Sequence, residues 1–415
     1  MTRLLRFFLI TVLVLSLSGA IAIAAHAQSI YVVTDNDNAS AQNTMSLYQY
    51  VSGTGLVECT PSSSCTPTSI KHSPFKTGSG QEGLGGGSFG LPGVGIATTD
   101  KCAFVVNAGT NSIGYSKAPF STWGVYTAGI TFNPSLGGSV AIDNAHSVLY
   151  INDTAFGSEG SIEQVKFNAD CVIGQLSVIA PNPTNGGIAH GMVVSPDGAC
   201  VFTGNADGSV SSFTTKALGA TSGSPYASLG YSNYGSVPIS AATTNDNWVV
   251  FDDMGGTSEL FDAYAYNSSC VLSSDTLSGP INPSGSEAIY GSSTFTLVPA
   301  ASGPEHIYTV GTLSGSMAAD TYMGGGVVVS NSACTNQALA GWGSNFDYPG
   351  ADAYAASSAT GTGVVVAEGS FMGTASFIGG AKVSSSGCFT ATIPQLVGNE
   401  SFNLLSLVTV ANPSE

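Results

Sequence analysis

Arginine is almost absent from this sequence, and that absence limits what the protein can bind. The only arginines are Arg3 and Arg6, both at the N-terminus. Without the first 27 residues, seven lysines face 26 aspartates and glutamates, which gives a formal charge of 7 − 26 = −19. Nucleic acids and anionic membrane surfaces are bound mainly through cationic contacts to phosphate. The composition therefore argues against both as partners.

Long apolar runs and helical periodicity are also missing, except at the N-terminus. Arg3 and Arg6 are followed by an apolar run over 7–25, and Ala25-His26-Ala27 fits a small-x-small cleavage site. We expect residues 1–27 to be a signal peptide and 28–415 to be the mature protein, secreted or periplasmic and without a membrane span. Because the apolar run is long for a signal, an uncleaved membrane anchor is the alternative.

All eight cysteines lie after the N-terminal segment, which is typical of a protein from an oxidising compartment. Cys59 and Cys65 flank a short polar loop and are the best candidate disulfide. Cys171 with Cys200 is a further guess, since sequence alone does not fix connectivity. No two cysteines have the short spacing of a zinc knuckle, so a structural zinc site is not favoured.

Residues 186–213 show how the chain is organised. Met192–Val194 is a short apolar run, and the turn Ser195-Pro196-Asp197-Gly198 follows it. Two more strand patterns, 200–203 and 209–213, are separated by a second turn at 205–208. Such a three-stranded unit cannot bury both faces alone and needs neighbours of its own kind.

The same pattern recurs along the whole chain. The units lie at 29–59, 95–115, 140–167, 192–213, 240–266, 293–330 and 353–383, and in the sixth we expect the third strand at 325–330. Equivalent positions Phe104, Leu149, Phe202 and Val250 are 45, 53 and 48 residues apart, close to the length of a four-stranded propeller blade, about 40–50 residues. The pattern predicts an all-β, seven-bladed β-propeller. A stack of β-sandwich domains is the alternative, but no clear interdomain linker is present.

Both termini bear on how such a ring would close. The first unit begins with a strand of the second type, Ile30–Val33, with no inner strand before it. The segment 404–410 at the C-terminus supplies a spare apolar strand. We expect this C-terminal strand to pair with the N-terminal blade, which leaves no open sheet edge. The mature chain would then be one domain, and we expect a monomer.

Several repeats resemble a known family. The segments Ser-Ile-Tyr-Val-Val-Thr-Asp-Asn, Cys-Ala-Phe-Val-Val-Asn-Ala-Gly-Thr-Asn-Ser-Ile and Val-Val-Ser-Pro-Asp-Gly-Ala-Cys-Val-Phe-Thr-Gly-Asn are similar to those of the seven-bladed lactonase and YVTN-repeat propellers. The likeness covers nearly the whole mature chain. It implies the fold more than the function, because propellers carry many unrelated functions.

Polar residues gather at one face of the predicted ring, where second strands end and inner strands begin. The ligand-binding candidates on this face are Asn107, Asp153, Asn205, Asp253 and Glu368. Amides and carboxylates of this kind suit a small neutral ligand such as a sugar, or an extracellular protein or glycan. The alternative for each residue is that asparagine and aspartate are simply turn formers.

His190 is the candidate catalytic residue, because it precedes an inner strand and an imidazole can act as a general base near neutral pH. The 6-phosphogluconolactonase-like members typically carry Pro-Arg-His before an inner strand and Asn-Glu after the next one. Here Ile188-Ala189-His190 and Asn205-Ala206 stand at those places. The histidine and asparagine match, whereas the arginine and glutamate do not, and a phosphorylated substrate needs a cation.

The sequence therefore predicts a binding propeller without phosphogluconolactonase activity. The alternative is a hydrolase of a neutral sugar lactone that uses His190 as its base. Asp35 and Asp37 resemble the start of a calcium loop, although Ser40 and Ser46 replace the glycine and glutamate of an EF-hand. Asp252 and Asp253 are a second calcium candidate, and we expect no other cofactor.

Overall fold

Seven antiparallel sheets follow one another along the chain in a computed structural model of the full sequence. The structure describes residues 31–36, 42–51, 53–66, 68–78, 96–99, 101–127, 129, 139–153, 161–174, 182–183, 189–205, 207–234, 237–254, 259–281, 292–298, 304–311, 316–334, 338–340, 353–357, 363–371, 375–397 and 408–410. None of the helices in these ranges combines the length and the hydrophobicity of a membrane span.

Each sheet is one blade, and its strands are given from the inner strand outward. Blade 1 contains Tyr31–Asn36 as its second strand, Thr44–Val51 as its third and Gly55–Glu58 as its fourth, with Phe75–Lys76 also paired to the third strand. Blade 2 contains Ile96–Thr98, Cys102–Asn107, Ser112–Lys117 and Trp123–Tyr126. Blade 3 contains Val140–Asp143, Val148–Asp153, Ser161–Lys166 and Asn182–Pro183.

Blades 4 to 7 repeat this order. Blade 4 contains Ala189–Val194, Cys200–Asn205, Ser209–Thr214 and Gly219–Ala220, with Tyr226–Ala227 also on its third strand. Blade 5 contains Val237–Thr243, Trp248–Met254, Glu259–Tyr266 and Leu272–Ile281. Blade 6 contains Ser292–Val298, Glu305–Gly311, Ser316–Tyr322 and Val328–Ser330, with Ala338–Ala340 also on its third strand. Blade 7 contains Ala353–Ser357, Gly363–Phe371, Ala375–Val383 and Phe389–Val397.

The predicted all-β, seven-bladed propeller is therefore confirmed. The inner strands of blades 2 to 7 lie beside one another in sequence order. An apolar cluster fills the space between each pair of neighbouring blades, because successive side chains of a strand point to opposite faces. In blade 4, for example, Val201 packs towards blade 3, whereas Phe202 packs towards blade 5. Val32 and Tyr48 of blade 1 share a cluster with Val364 of blade 7.

One strand prediction was wrong. The third strand of blade 6 is Ser316–Tyr322, not 325–330, and Val328–Ser330 is part of the fourth strand. Asp320 interrupts the apolar face of the true third strand, so the sequence of this segment lacks the apolar pattern of a buried strand. It is nevertheless only 1 % exposed.

A short helix over Leu229–Tyr234 was also unexpected, because no helical periodicity is visible in the sequence. Its first backbone N–H groups are held by acidic side chains of blade 5. Gly230 N donates to Asp262 at 3.1 Å, and Leu229 N donates to Asp275 at 3.2 Å. Carboxylates at this position accept hydrogen bonds from the unpaired N–H groups of the first helical turn. Burial, and then the charge of Asp262, raise the pKa of Asp275 to about 7.

Four disulfides connect the described residues. The predicted pair Cys59–Cys65 is confirmed, whereas Cys171 with Cys200 was wrong. The other pairs join neighbouring blades: Cys102–Cys171, Cys200–Cys270 and Cys334–Cys388. The guess failed because Cys171 lies in a turn after a third strand, where it meets the beginning of the preceding blade's second strand. Disulfides on this scale are typical of proteins that fold in an oxidising compartment.

Candidate functional site

The strand order gives the ring two unlike faces. On the upper face, second strands end, third strands begin, and the chain enters each inner strand. On the lower face lie the turns from inner to second strand and those from third to fourth strand. His190 lies at the upper face, in the inner strand of blade 4.

The backbone around His190 is irregular. Ala189 pairs with Asn205 and Met192 with Thr203, so the register shifts across His190 and Gly191. Similar shifts occur between Pro238 and Ser240 in blade 5, and between Ser292 and Thr294 in blade 6. A bulge turns a side chain away from the regular alternation of the strand, and bulges are common beside binding sites. The His190 side chain itself lies outside the part of the chain that the structure describes.

Asn205 is brought next to this bulge, but its amide is engaged within blade 4. Its Oδ1 accepts from Thr203 Oγ1 at 3.1 Å, and its Nδ2 donates to Ser209 and Ser211 at 3.0 and 2.8 Å. Asn205 is 0 % exposed. Such a buried amide, with its hydrogen bonds satisfied, fixes the end of the second strand against the third.

The same arrangement recurs in blade 1, where Asn36 accepts from Thr34 and donates to Thr44 and Ser46. Asn107 in blade 2 has a related environment. It accepts from Thr77 Oγ1 at 3.0 Å and is 0 % exposed. These asparagines hold strands together in the described conformation. A role of Asn107 or Asn205 in ligand binding stays a prediction, and it would require the amides to leave their present partners.

The remaining candidates share the upper half of the ring. All three lie in second strands. Asp153 is the last residue of the second strand of blade 3, Asp253 is near the end of the second strand of blade 5, and Glu368 is within the second strand of blade 7. Their side chains lie outside the described set, so their ligand-binding roles stay predictions. Asp35 lies in blade 1 opposite Met45, and Asp37 is beyond the described residues. Among the described residues, no group of three or more metal-ligating side chains is brought together.

Two buried carboxyl groups lie between blades 5 and 6. Asp252 is 0 % exposed on the second strand of blade 5, and Asp320 is 1 % exposed on the third strand of blade 6. Burial, reinforced by the nearby charge of Asp252, raises the pKa of Asp320 to about 8. A carboxyl group without water gains its proton because the charged form is poorly solvated there. At neutral pH the pair of carboxyl groups therefore retains a proton.

A cleft on the lower face, between blades 3 and 4, was not expected from the sequence. It encloses about 610 Å³. Its floor includes Tyr150 and Gln164, which are paired across the second and third strands of blade 3. Its rim carries Lys166 of blade 3 and Lys216 of blade 4.

An aspartate–histidine pair stands at the edge of this cleft. Asp143 Oδ2 lies 2.7 Å from His146 Nδ1, and Asp143 Oδ1 accepts from the His146 backbone N–H at 3.1 Å. The Asp143 side chain is 5 % exposed, whereas that of His146 is 61 % exposed. The carboxylate therefore fixes the orientation of the ring and leaves Nε2 directed away from it.

The turn Ser195–Gly198 of blade 4 covers this pair. A side chain at Gly198 would collide with the Asp143 carboxylate and the His146 ring, and the φ of Gly198 is +70°. Only glycine fits such a position without strain. Asp197 in the same turn accepts from Ser195 Oγ at 2.6 Å and from Ala199 N at 3.0 Å. Those hydrogen bonds offset its partial desolvation and lower the pKa of Asp197. The turn was recognised in the sequence, but nothing in it showed that the neighbouring repeat would place Asp143 and His146 beneath it.

Comparison with solved structures supports the fold. Periplasmic gluconolactonase PpgL of Pseudomonas aeruginosa aligns over 92 % of this chain and 99 % of its own, with a TM-score of 0.60 and 12 % identity. A putative 6-phosphogluconolactonase from Bacteroides uniformis aligns over 92 % and 100 %, with a TM-score of 0.58 and 11 % identity. Another from Bacteroides fragilis aligns over 90 % and 83 %, at a TM-score of 0.50 and 11 % identity.

No family model and no curated protein sequence matches this chain. At such low identity, the similarity to solved structures establishes architecture and not activity. The chain is a seven-bladed β-propeller with the fold of the lactonase-like proteins.

Proposed function

We propose that this protein is an extracytoplasmic, ligand-binding propeller that does not hydrolyse 6-phosphogluconolactone. The proposal rests on where its cations lie. Five of the seven lysines stand at lower-face ends of strands, where second strands begin or third strands end: Lys101, Lys117, Lys166, Lys216 and Lys382. They are on the face opposite to His190.

The other two lysines belong to the outer part of blade 1. Lys76 lies in the short strand that pairs with the third strand, and Lys71 Nζ donates to Ser63 O at 2.6 Å. The upper face, in contrast, carries Asp153, Asp253 and Glu368 in its second strands. Lys76 stands at the outer edge of this face, because it pairs with Thr44 at the beginning of the third strand. No lysine lies in an inner strand or at the upper end of a second strand, so a phosphorylated sugar bound near His190 would meet carboxylates there, and a neutral ligand fits better. We propose a small neutral ligand, or an extracellular protein or glycan, and a monomeric protein.

The test is turnover by the purified mature protein. We expect 6-phosphogluconolactone to disappear at its spontaneous rate, with the enzyme-free reaction measured in parallel. Turnover above that rate would overturn the proposal. If His190→Ala abolished this turnover and His72→Ala retained it, His190 would be the residue responsible. His72 is an exposed histidine of blade 1 and serves as the matched control.

Hydrolysis of a neutral sugar lactone is the second candidate function. The bulge at His190 favours it, because a bulge can direct the imidazole towards the channel. In that reaction His190 would take a proton from the attacking water, and the developing oxyanion would need amide or backbone donors. Glucono-1,5-lactone is the substrate to test. If its hydrolysis exceeds the spontaneous rate equally in wild type and His190→Ala, His190 is not the base.

The termini and calcium complete the proposal. Val408–Val410 pairs antiparallel with Tyr31–Val33, which supports a ring latched by the C-terminal strand; a chain ending at residue 403 should then melt at a lower temperature. Residues 1–27 are proposed as a cleaved signal, so mass spectrometry of the exported protein should give Gln28 as its first residue. If Asp35 and Asp37 bind calcium, a chelator should lower the melting temperature.

A further inference from the structure

The cleft between blades 3 and 4 contains charged groups that the fold does not use. In a chain with only seven lysines and a formal charge of −17, two lysines, Lys166 and Lys216, line the same cleft. Both are exposed, and within the described residues neither forms an ion pair. By contrast, Lys117 on the same face pairs with Asp170 at 2.8 Å. The two ammonium groups are therefore free to meet an anion from solution.

The carboxylates of the cleft already accept hydrogen bonds from the protein. Asp143 accepts from the ring and the backbone of His146, and Asp197 accepts from Ser195 and Ala199. Because these hydrogen bonds satisfy the two acids internally, they compete less for the lysines. The remaining donors that line the cleft are the lysines, the exposed His146 ring and neutral polar groups.

The neutral groups are suited to hydroxyls. Gln164 and Thr215 line the cleft, and Tyr150 lies almost fully buried beneath them, with Gln164 Nε2 3.5 Å from Tyr150 Oη. Burial, and then the nearby charge of Asp143, raise the pKa of Tyr150 to about 12, so its hydroxyl keeps its proton. A volume of about 610 Å³ exceeds the needs of an inorganic anion and lies within the range of small-molecule sites.

We propose that this lower-face cleft binds a small polyhydroxylated carboxylate, such as a sugar acid, with Lys166 and Lys216 holding the carboxylate and His146, Gln164 and Thr215 contacting the hydroxyls. The size of the cleft and its row of neutral polar groups favour this class over inorganic phosphate. The strongly negative protein would repel a polyanion, so the ligand carries a single charge. The site is on the face opposite to His190 and does not depend on the function proposed for the upper face.

Isothermal titration calorimetry on the mature protein tests the proposal with four probes. Sodium gluconate carries both the carboxylate and the hydroxyls, whereas glucose carries only hydroxyls, acetate only a carboxylate, and phosphate an unrelated anion. We expect gluconate to bind at least about tenfold more tightly than the other three, since it alone uses both sets of groups. Equal binding of acetate, or tighter binding of phosphate, overturns the assigned class.

Variants then locate the site. Lys166→Gln/Lys216→Gln should weaken gluconate binding by at least about tenfold. Lys101→Gln/Lys382→Gln changes the net charge equally, on the same face, and should leave the affinity within about twofold. Equal loss in both double variants would show a general charge effect and overturn the site. Unchanged binding in the first variant, with loss in His190→Ala, would place the ligand on the upper face instead. Unchanged melting temperatures confirm that all variants are folded.

Discussion

The buried pair Asp252 and Asp320 makes the stability of the propeller depend on pH. In the unfolded chain Asp320 ionises near its ordinary pKa of 3.8, but in the folded chain its pKa is about 8 because burial, and then Asp252, disfavour its charge. A raised folded-state pKa gives stability that is fully present below pH 4. That stability falls as pH rises and is lost above pH 8. Between these limits unfolding releases a proton from this residue.

The magnitude follows from the interval between 3.8 and the pH of the experiment. At pH 7 this interval is about three pKa units, which corresponds to an upper limit of about 4 kcal/mol in the free energy of unfolding. Asp320→Asn replaces the protonated carboxyl group with a neutral group of the same shape. The variant should therefore be more stable than wild type at pH 7 by up to about 4 kcal/mol, and no more stable near pH 4. For a chain of this length that corresponds to about 5 °C in melting temperature.

Thermal unfolding followed by circular dichroism from pH 4 to pH 9 measures this difference. Asp170→Asn is the control, because hydrogen bonding to Lys117 lowers the pKa of this fully exposed aspartate. The control should show no gain that grows with pH. Asp252→Asn should give a smaller gain than Asp320→Asn, since burial, the first cause of the shift, remains. A difference between Asp320→Asn and wild type that is the same at pH 5 and pH 8.5 would refute the reasoning.

Two further predictions concern the lower face. Replacing Cys200 and Cys270 by alanine opens a loop of 70 residues and should lower the free energy of unfolding by roughly 4 kcal/mol. The same change at Cys59 and Cys65 opens a loop of six residues and should lower it by roughly 2 kcal/mol. Equal losses in melting temperature would contradict the chain-entropy account. Gly198→Ala should destabilise the protein by about 1–3 kcal/mol, because its new side chain meets the Asp143–His146 pair. Gly325→Ala has a similar φ of +61° and nothing within 4 Å, so it should lose less. If both glycine variants melt alike, only the backbone conformation matters and not the contact.

The Cys59–Cys65 disulfide could be predicted because it is local, with a sequence separation of six. The interblade disulfides could not, since Cys102–Cys171 and Cys200–Cys270 span separations of 69 and 70. Cys200 begins the predicted strand 200–203, and Cys102 begins the equivalent strand of blade 2. Their partners depend on which turn of the next blade lies beside them, and that is set by blade packing.

The candidate site also contains some features that the sequence predicts and others that only the structure shows. The asparagines at the ends of second strands were recognised, but only the structure shows that Asn107 and Asn205 are buried and bonded within their own surroundings. The sequence gives no signal for the pair Asp143 and His146, because a single aspartate and histidine in a polar turn are common. Its cleft exists because blade 4 places Gly198 against blade 3.

The sequence alone determined the repeated sheet units and their number, since alternating apolar residues and turn residues act over short distances along the chain. The structure decided which cysteines meet, which strand of blade 6 carries the buried Asp320, and where the lysines lie relative to His190. Those features depend on contacts between blades that are some 50 residues apart in sequence. Local patterns along one strand cannot encode which side chain of the next blade will face it.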